Sequence, residues 1–302
     1  SSFDYRSSPV NSLCTDCSPI SLVCSARNRS LFFVLLAVLA ATATSRFTVH
    51  GQTDVALDLT RAVVVAPANF SGPENKAVQM LLEEVERRTQ VRWQRMNQAP
   101  PAGAPLIVLE RATARTSLPR EGYQIKTAAK GVTITGNDAR GVLFGVGHLL
   151  RSLNLEKGKI SLPTPLNLTT APKYPLRGHQ LGYRPKTNSY DAWDVAQWEQ
   201  YIRDLAVWGT NAIELIPPRS DDDADSPHFP LPPMQMMIEM SRICADYGID
   251  VWIWYPALDK DYGDPKTVEF ALNEWGEVFK QLPRVDAVFV PGGDPGSTPP
   301  KL

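Results

Sequence analysis

The sequence predicts an α+β amino-terminal domain followed by α/β units that form about the first four strands of a (β/α)₈ TIM barrel. Two observations support this prediction. Short strands and two amphipathic helices alternate in the first part, with one hairpin signal. In the second part, strands that are apolar on both faces alternate with helices about every 36 residues, which is typical of a parallel sheet covered by helices.

Composition and charge limit the class of protein. The 302 residues are 43% hydrophobic and 21% charged, which is typical of a soluble globular protein. The net charge of −1 gives no reason to expect nucleic acid as a partner. The length allows two domains and a leader. We predict a leader with a signal peptide at 1–52, an α+β domain at 53–170 and the barrel portion at 171–302.

The leader has the pattern of an export signal. Arg27 and Arg29 precede the apolar run 31–41, and the small residues 42–45 follow it. An apolar run of this length is too short to cross a bilayer as a helix, so we expect no stable membrane span after cleavage. The residues before the run show no pattern and are expected to be mostly disordered. The expected location is secreted or periplasmic.

The cysteines do not form a metal site. Cys14 and Cys17 have the C-x-x-C spacing, but no second pair completes a zinc site. Cys244 lies on the apolar side of a predicted helix and is expected to be a buried small side chain. The sequence implies no metal or organic cofactor.

The elements of the first domain follow from periodicity and from helix start signals. Pro73 opens a helix whose apolar residues share one stripe, and Asn137 or Asp138 can cap a second helix that runs to Leu153. Lys130-Gly131 predicts a hairpin turn in which Gly131 supplies a positive φ. The predicted strands lie at 61–66, 91–95, 106–109, 121–127 and 132–135.

The segment 121–151 resembles a known type of domain. It contains Glu-Gly-Tyr-Gln-Ile at its start and Gly-Val-Leu-Phe-Gly-Val-Gly-His-Leu-Leu-Arg at its end. This is similar to the non-catalytic domain that precedes the barrel in β-N-acetylhexosaminidases and in xylan-debranching α-glucuronidases, with the ending closer to the latter. The resemblance implies a supporting domain that does no chemistry.

The barrel portion repeats strand and helix. Predicted strands start near 176, 212, 251 and 287, and predicted helices run over 191–208, from Pro233 to Gly248, and from Asp264 onwards. The segment 180–185 after the first strand has one glycine where a dinucleotide site needs three, so a barrel is favoured over an open doubly wound sheet. A complete barrel needs roughly 250 residues and this portion has about 130, so we expect the chain alone to be inactive.

Barrel enzymes carry their catalytic groups at the carboxyl ends of the strands. The fourth strand is followed by Gly-Gly-Asp294-Pro-Gly. The resemblance implies that the acid protonating the leaving oxygen lies here, so Asp294 is the predicted catalytic residue; bracing a tight turn is the alternative role. The hexosaminidases have an adjacent Asp-Glu pair at this place, whereas this sequence has Asp294-Pro295, which weighs against their substrate-assisted mechanism.

Other side chains near the strand ends are candidates for sugar binding. Arg177 and Glu214 lie in neighbouring predicted strands, where they either form an ion pair inside the barrel or contact substrate. His179 is expected to point the same way as Arg177. Trp254 or Tyr255 at the rim of the third strand either lines the sugar site or belongs to the core. The acidic run 221–225 is predicted to be a solvated loop.

These observations predict an exported glycoside hydrolase with a carbohydrate substrate, resembling α-glucuronidases of xylan catabolism first. A β-N-acetylhexosaminidase-like glycosidase is an alternative, and a non-catalytic carbohydrate-binding protein on a degenerate barrel is another. Nothing in the sequence indicates the oligomeric state.

Overall fold

The computed structural model describes residues 56–101, 103–113, 117–181, 193–215, 218, 230–255 and 257–289. The predicted signal peptide, the acidic run 221–225 and Asp294 lie outside these residues. Residues 54–302 form one compact unit, and the predicted domain boundary near residue 170 stays a prediction.

The amino-terminal part is built on a six-stranded mixed sheet. Its order is β3-β2-β4-β6-β5-β9, in which β3, β2, β4 and β6 run parallel and β5 and β9 pair antiparallel to their neighbours. A small second sheet has the order β1-β8-β7. The strands are β1 Leu57–Asp58, β2 Val63–Val65, β3 Gln94–Met96, β4 Leu106–Arg111, β5 Tyr123–Ala128, β6 Gly131–Gly136, β7 Asn154–Glu156, β8 Lys159–Leu162 and β9 Asn167–Thr170. Strands β1, β7, β8 and β9 were not predicted, because each is short and mixes apolar with polar residues.

Two helices cover the six-stranded sheet. Helix α1 (Gly72–Thr89) begins with a capping box between Ser71 and Glu74, and helix α2 (Ala139–Ser152) begins where the Asp138 side chain accepts a hydrogen bond from the Gly141 amide. Of the two predicted caps for α2, the structure therefore selects Asp138. The apolar stripes of both helices are buried on the sheet, as their periodicity predicts.

Gly131 is required for a different reason from the predicted one. It is not among the residues with positive φ; instead, a Cβ at this position would lie 2.2 Å from the Leu106 carbonyl oxygen on the neighbouring strand. Gly141 likewise allows α2 to lie close to the sheet, because a Cβ there would lie 2.4 Å from the Gly122 carbonyl oxygen. Close backbone approach therefore explains both glycines.

We expect Gly141→Ala to destabilise the chain and Gly276→Ala to stabilise it by about 0.5–1 kcal/mol. Both glycines lie within helices, but a Cβ at Gly276 meets nothing within 4 Å, whereas a Cβ at Gly141 meets backbone. The midpoints of urea unfolding of the two variants measure the difference. Equal effects of the two substitutions would contradict the packing described for α2.

The second part is a four-stranded parallel sheet with the order β10-β11-β12-β13. Each strand lies beside its sequence neighbour, as in a barrel; a doubly wound sheet reverses direction at a switch point. The predicted fold class is therefore confirmed, as an α+β part followed by consecutive β/α units. The elements are β10 Gly178–Gln180, α3 Val195–Val207, β11 Ala212–Leu215, α4 Pro233–Tyr247, β12 Asp250–Trp254, α5 Pro265–Gln281 and β13 Ala287–Phe289.

The two parts meet through their helices, since α2 packs against α3 and α1 packs against α4. A buried arginine crosses this contact. Arg203 of α3 is 3% exposed, donates to the Tyr247 hydroxyl at 2.8 Å and pairs with Glu84 of α1 at 3.2 Å. The order of layers is thus mixed sheet, α1 and α2, α3 and α4, and parallel sheet.

Among the described residues, none of the helices combines the length and the apolar character needed to cross a membrane. Cys244 is fully buried in α4, as predicted, and burial raises the pKa of its thiol to about 12.

Candidate functional site

The parallel sheet has one face toward the helices and one face away from them. Ile213, Leu215, Val251 and Ile253 are buried, and α4 packs on these strands. The alternate residues Gln180, Glu214 and Trp252 are register partners on the opposite face. In a closed barrel this second face lines the interior, so these three side chains point toward the region where a barrel enzyme builds its site.

Glu214 is the titratable group at the centre of this row. Its carboxylate accepts a hydrogen bond of 3.0 Å from the Gln180 side-chain amide. Both residues line a cavity of about 240 Å³, together with Leu176, Gly178, His179, Ala212 and Trp252. Within the described part of the chain, no cation forms an ion pair with Glu214. A half-buried carboxyl group beside an indole and an amide is suited to hydrogen bonding with a sugar hydroxyl.

Burial raises the pKa of Glu214 above its ordinary value, and the hydrogen bond from Gln180 opposes this only in part. A raised pKa in the folded state means that stability falls as the pH rises from the unfolded value, about 4.5, through the folded value. Glu214→Gln is therefore expected to raise the melting temperature at pH 8 relative to the unsubstituted chain, and to lose this advantage below pH 4.5. An advantage that does not change between the two pH values would contradict the assignment.

Arg177 does not lie where it was predicted. It precedes β10, at the amino-terminal edge of the sheet, and its guanidinium donates to Glu121 at 2.7 Å and to the carbonyls of Gly209 and Tyr174. The expected alternative, an ion pair with Glu214, is replaced by this pair with Glu121. We therefore assign Arg177 to the contact between the two parts of the chain, because its donors are used there.

His179 faces the helices. Its register partners are the buried residues Ile213 and Val251, and its Nε2 lies 2.8 Å from the Tyr201 hydroxyl of α3. It thus points away from Gln180 and Glu214, which corrects the expectation that His179 contacts a sugar on their face. Neighbouring residues of a strand point to opposite faces of the sheet, and the sequence alone did not decide which face His179 occupies.

The two aromatic candidates, Trp254 and Tyr255, have different surroundings. Trp254 shares the face of Trp252 and is 8% exposed in the described structure. Tyr255 follows β12, and its ring packs against Trp275 of α5 with centroids 4.5 Å apart. Of the two predicted roles, the structure therefore favours the core for both: Trp254 belongs to the buried hydrophobic cluster, and Tyr255 belongs to the packing of α5.

A polar network at the amino-terminal edge of the sheet escaped the sequence analysis. Glu121 receives hydrogen bonds from Arg140 at 2.9 Å, from Arg177 at 2.7 Å and from Asn211 at 3.1 Å. Arg140 also contacts Asp250, which is the first residue of β12. Glu121, at the start of the segment 121–151, was visible in the sequence. Its hydrogen-bond partners could not be identified there, because they lie up to 90 residues away.

The described residues contain no group of three or more His, Cys, Asp or Glu side chains placed to hold a metal ion.

Comparison with known proteins places the chain among glycoside hydrolase folds. Residues 47–165 match the family model of glycosyl hydrolase family 20, domain 2. No curated protein matches the sequence. The GH20 β-N-acetylhexosaminidase from Streptomyces coelicolor A3(2) has a similar structure, with a TM-score of 0.60 and 16% identity over 81% of this chain and 58% of that one.

Two further structures extend the likeness. The chitobiase of Flavobacterium johnsoniae has a TM-score of 0.56 and 15% identity, and covers 78% of this chain. A GH138 enzyme targeting pectin rhamnogalacturonan II has a TM-score of 0.52 and 15% identity over 76% of this chain. The chain spans 42% of the chitobiase and 30% of the GH138 enzyme. The matches named here are a family 20 domain 2, a β-N-acetylhexosaminidase, a chitobiase and a GH138 enzyme, and no α-glucuronidase is among them.

Proposed function

We propose that this chain, whose residues 47–165 match a family 20 domain 2, belongs to a glycoside hydrolase that removes β-linked N-acetylhexosamine residues from oligosaccharides. The observation that carries the proposal is the combination of that domain with consecutive parallel β/α units directly after it. The similar structures include a chitobiase and a β-N-acetylhexosaminidase, and their names suggest the sugar class.

The proposed chemistry is acid-assisted cleavage at the carboxyl edge of the parallel sheet. Asp294, five residues after β13, protonates the leaving oxygen while the bond from that oxygen to the anomeric carbon breaks. A water oxygen then bonds to the anomeric carbon and gives its proton to the Asp294 carboxylate, which restores the acid for the next cycle. Glu214 with Gln180 holds a sugar hydroxyl, and the half-buried Trp252, which lines the same cavity, offers a ring to the C–H face of the sugar.

The test is hydrolysis by the full-length protein of 4-nitrophenyl N-acetyl-β-glucosaminide and, separately, of 4-O-methylglucuronosyl xylo-oligosaccharides. Release of nitrophenol with no release of glucuronic acid is expected. Release of glucuronic acid alone would overturn the substrate class and favour the α-glucuronidase function.

Asp294-Pro295, in place of an adjacent Asp-Glu pair, favours a second candidate, a carbohydrate-binding protein without activity. Retention on chitin with no hydrolysis of either substrate would establish this second function. The apolar run 31–41 supports the further proposal that the protein is exported, which detection of activity outside the cytoplasm would test.

A further inference from the structure

An aromatic side chain, Trp208, is exposed at the amino-terminal edge of the parallel sheet. Trp208 is 76% exposed and is the carboxyl-terminal cap of α3. Strand β11 begins four residues later, at Ala212. Its amide bonds to the Leu205 carbonyl at 3.1 Å, and Gly209 continues the turn with φ +91°. The ring is therefore held on a rigid helix end.

A cation fixes the ring further. The Arg151 guanidinium of α2 lies over the indole at 5.0 Å from its centroid and also donates to the Val207 carbonyl. The guanidinium also bonds to the Tyr123 hydroxyl, and among the described residues no carboxylate pairs with it, so N–H groups not engaged by Val207 and Tyr123 can donate to a ligand oxygen. An aromatic ring that can stack on a sugar, next to a guanidinium that can donate two parallel hydrogen bonds, is suited to binding a sugar ring.

Two cavities flank Trp208, and Arg151 lines both of them. The first, of about 290 Å³, is also lined by the polar side chains of Glu84, Arg88 and Asp204. The second, of about 240 Å³, is lined by Tyr123, Phe144 and Thr170 among others. Each is large enough for one sugar unit, and the ring of Trp208 lies between them.

We propose that Trp208 and Arg151 form a saccharide-binding site at the amino-terminal edge of the sheet, separate from the site of hydrolysis, which takes a chain of β-linked N-acetylhexosamine units. One sugar stacks on Trp208 while its neighbours occupy the two cavities. Asp204, which is exposed and receives one bond from Gln200 at 3.0 Å, accepts from a sugar hydroxyl. The sugar class rests on the proposed function.

The experiment uses the full-length protein in native gels with and without soluble glycol chitin. Trp208→Ala is expected to weaken retention by the polymer about tenfold, while hydrolysis of 4-nitrophenyl N-acetyl-β-glucosaminide stays unchanged. Phe270→Ala is the matched control, because Phe270 is also an exposed aromatic (53%) and lines neither cavity. Arg151→Gln removes the forked donor and is expected to weaken retention as well.

Unchanged retention of Trp208→Ala would overturn the inference. So would a loss of several degrees in the melting temperature of Trp208→Ala, because it would show that the ring is covered by protein in the full-length molecule. Failure of the proposed function has a different signature: no variant, nor the unsubstituted protein, hydrolyses the small substrate, while the retention measurement still decides the binding site.

Discussion

Replacing Glu121 by alanine is expected to destabilise the chain by about 3–5 kcal/mol, the range measured when one partner of a buried ion pair is removed. Glu121 is 4% exposed and receives hydrogen bonds from Arg140, Arg177 and Asn211. Its loss leaves two guanidinium groups and an amide without their acceptor at the contact between the two parts of the chain.

The network joins Glu121 to the amino-terminal ends of all four parallel strands. Arg177 precedes β10, Asn211 precedes β11, and Arg140 reaches Asp250 at the start of β12. Arg284, which precedes β13, pairs with Asp250 at 2.6 Å. The amino-terminal part therefore contributes to the alignment of the strands, and not only to their support.

The pH dependence of this stabilisation has a definite sign. Burial alone would raise the pKa of Glu121, but the hydrogen bonds from Arg140, Arg177 and Asn211 outweigh burial and hold the pKa below its ordinary 4.5. A lowered pKa in the folded state stabilises the chain above the unfolded value, and this contribution is lost as the pH falls through the folded value. The difference between the chain and Glu121→Gln is therefore expected to be full at pH 7 and to shrink below pH 4.5.

Urea unfolding at pH 7 measures the effect, with Glu277→Ala as the matched control. Glu277 pairs with Lys280 at 2.5 Å, but its side chain is 66% exposed, so its removal is expected to cost less than about 1 kcal/mol. A Glu121→Ala variant as stable as Glu277→Ala would show that the network contributes nothing.

The second large effect concerns activity. Asp294→Asn in the full-length protein is expected to lower kcat/KM for 4-nitrophenyl N-acetyl-β-glucosaminide about 10²–10⁴-fold, the usual contribution of a general acid. The amide has nearly the same shape as the carboxyl group but cannot give a proton to the leaving oxygen. Its melting temperature is expected to stay the same.

Asp264→Asn is the control for this substitution. Asp264 caps α5 by accepting from the Lys266 amide at 3.0 Å, and asparagine caps helices equally well, so activity and stability should both persist. If Asp294→Asn keeps full activity, Asp294 only braces the turn before Pro295, and the acid must come from another residue.

Hydrophobic periodicity and the residues that begin and end helices were enough to predict most of the larger elements. Proline and aspartate at helix starts and glycine at helix ends act locally, within a few residues. The recurrence of a strand and a helix about every 36 residues indicated repeated β/α units. The parallel sheet followed from strands that are apolar on both faces. Strands such as β1 and β9 were not predicted, because they are short and largely polar, so no apolar run marks them.

The partners of the charged residues came only with the folded chain. Arg177 meets Glu121, 56 residues away, because the two parts of the chain pack against each other, and no local pattern encodes that contact. The faces of His179 and Glu214 likewise depend on strand parity, which differs by one residue between the helix side and the opposite side. Local pattern thus sufficed for elements and fold class, whereas the chemistry of each side chain depended on neighbours distant in sequence.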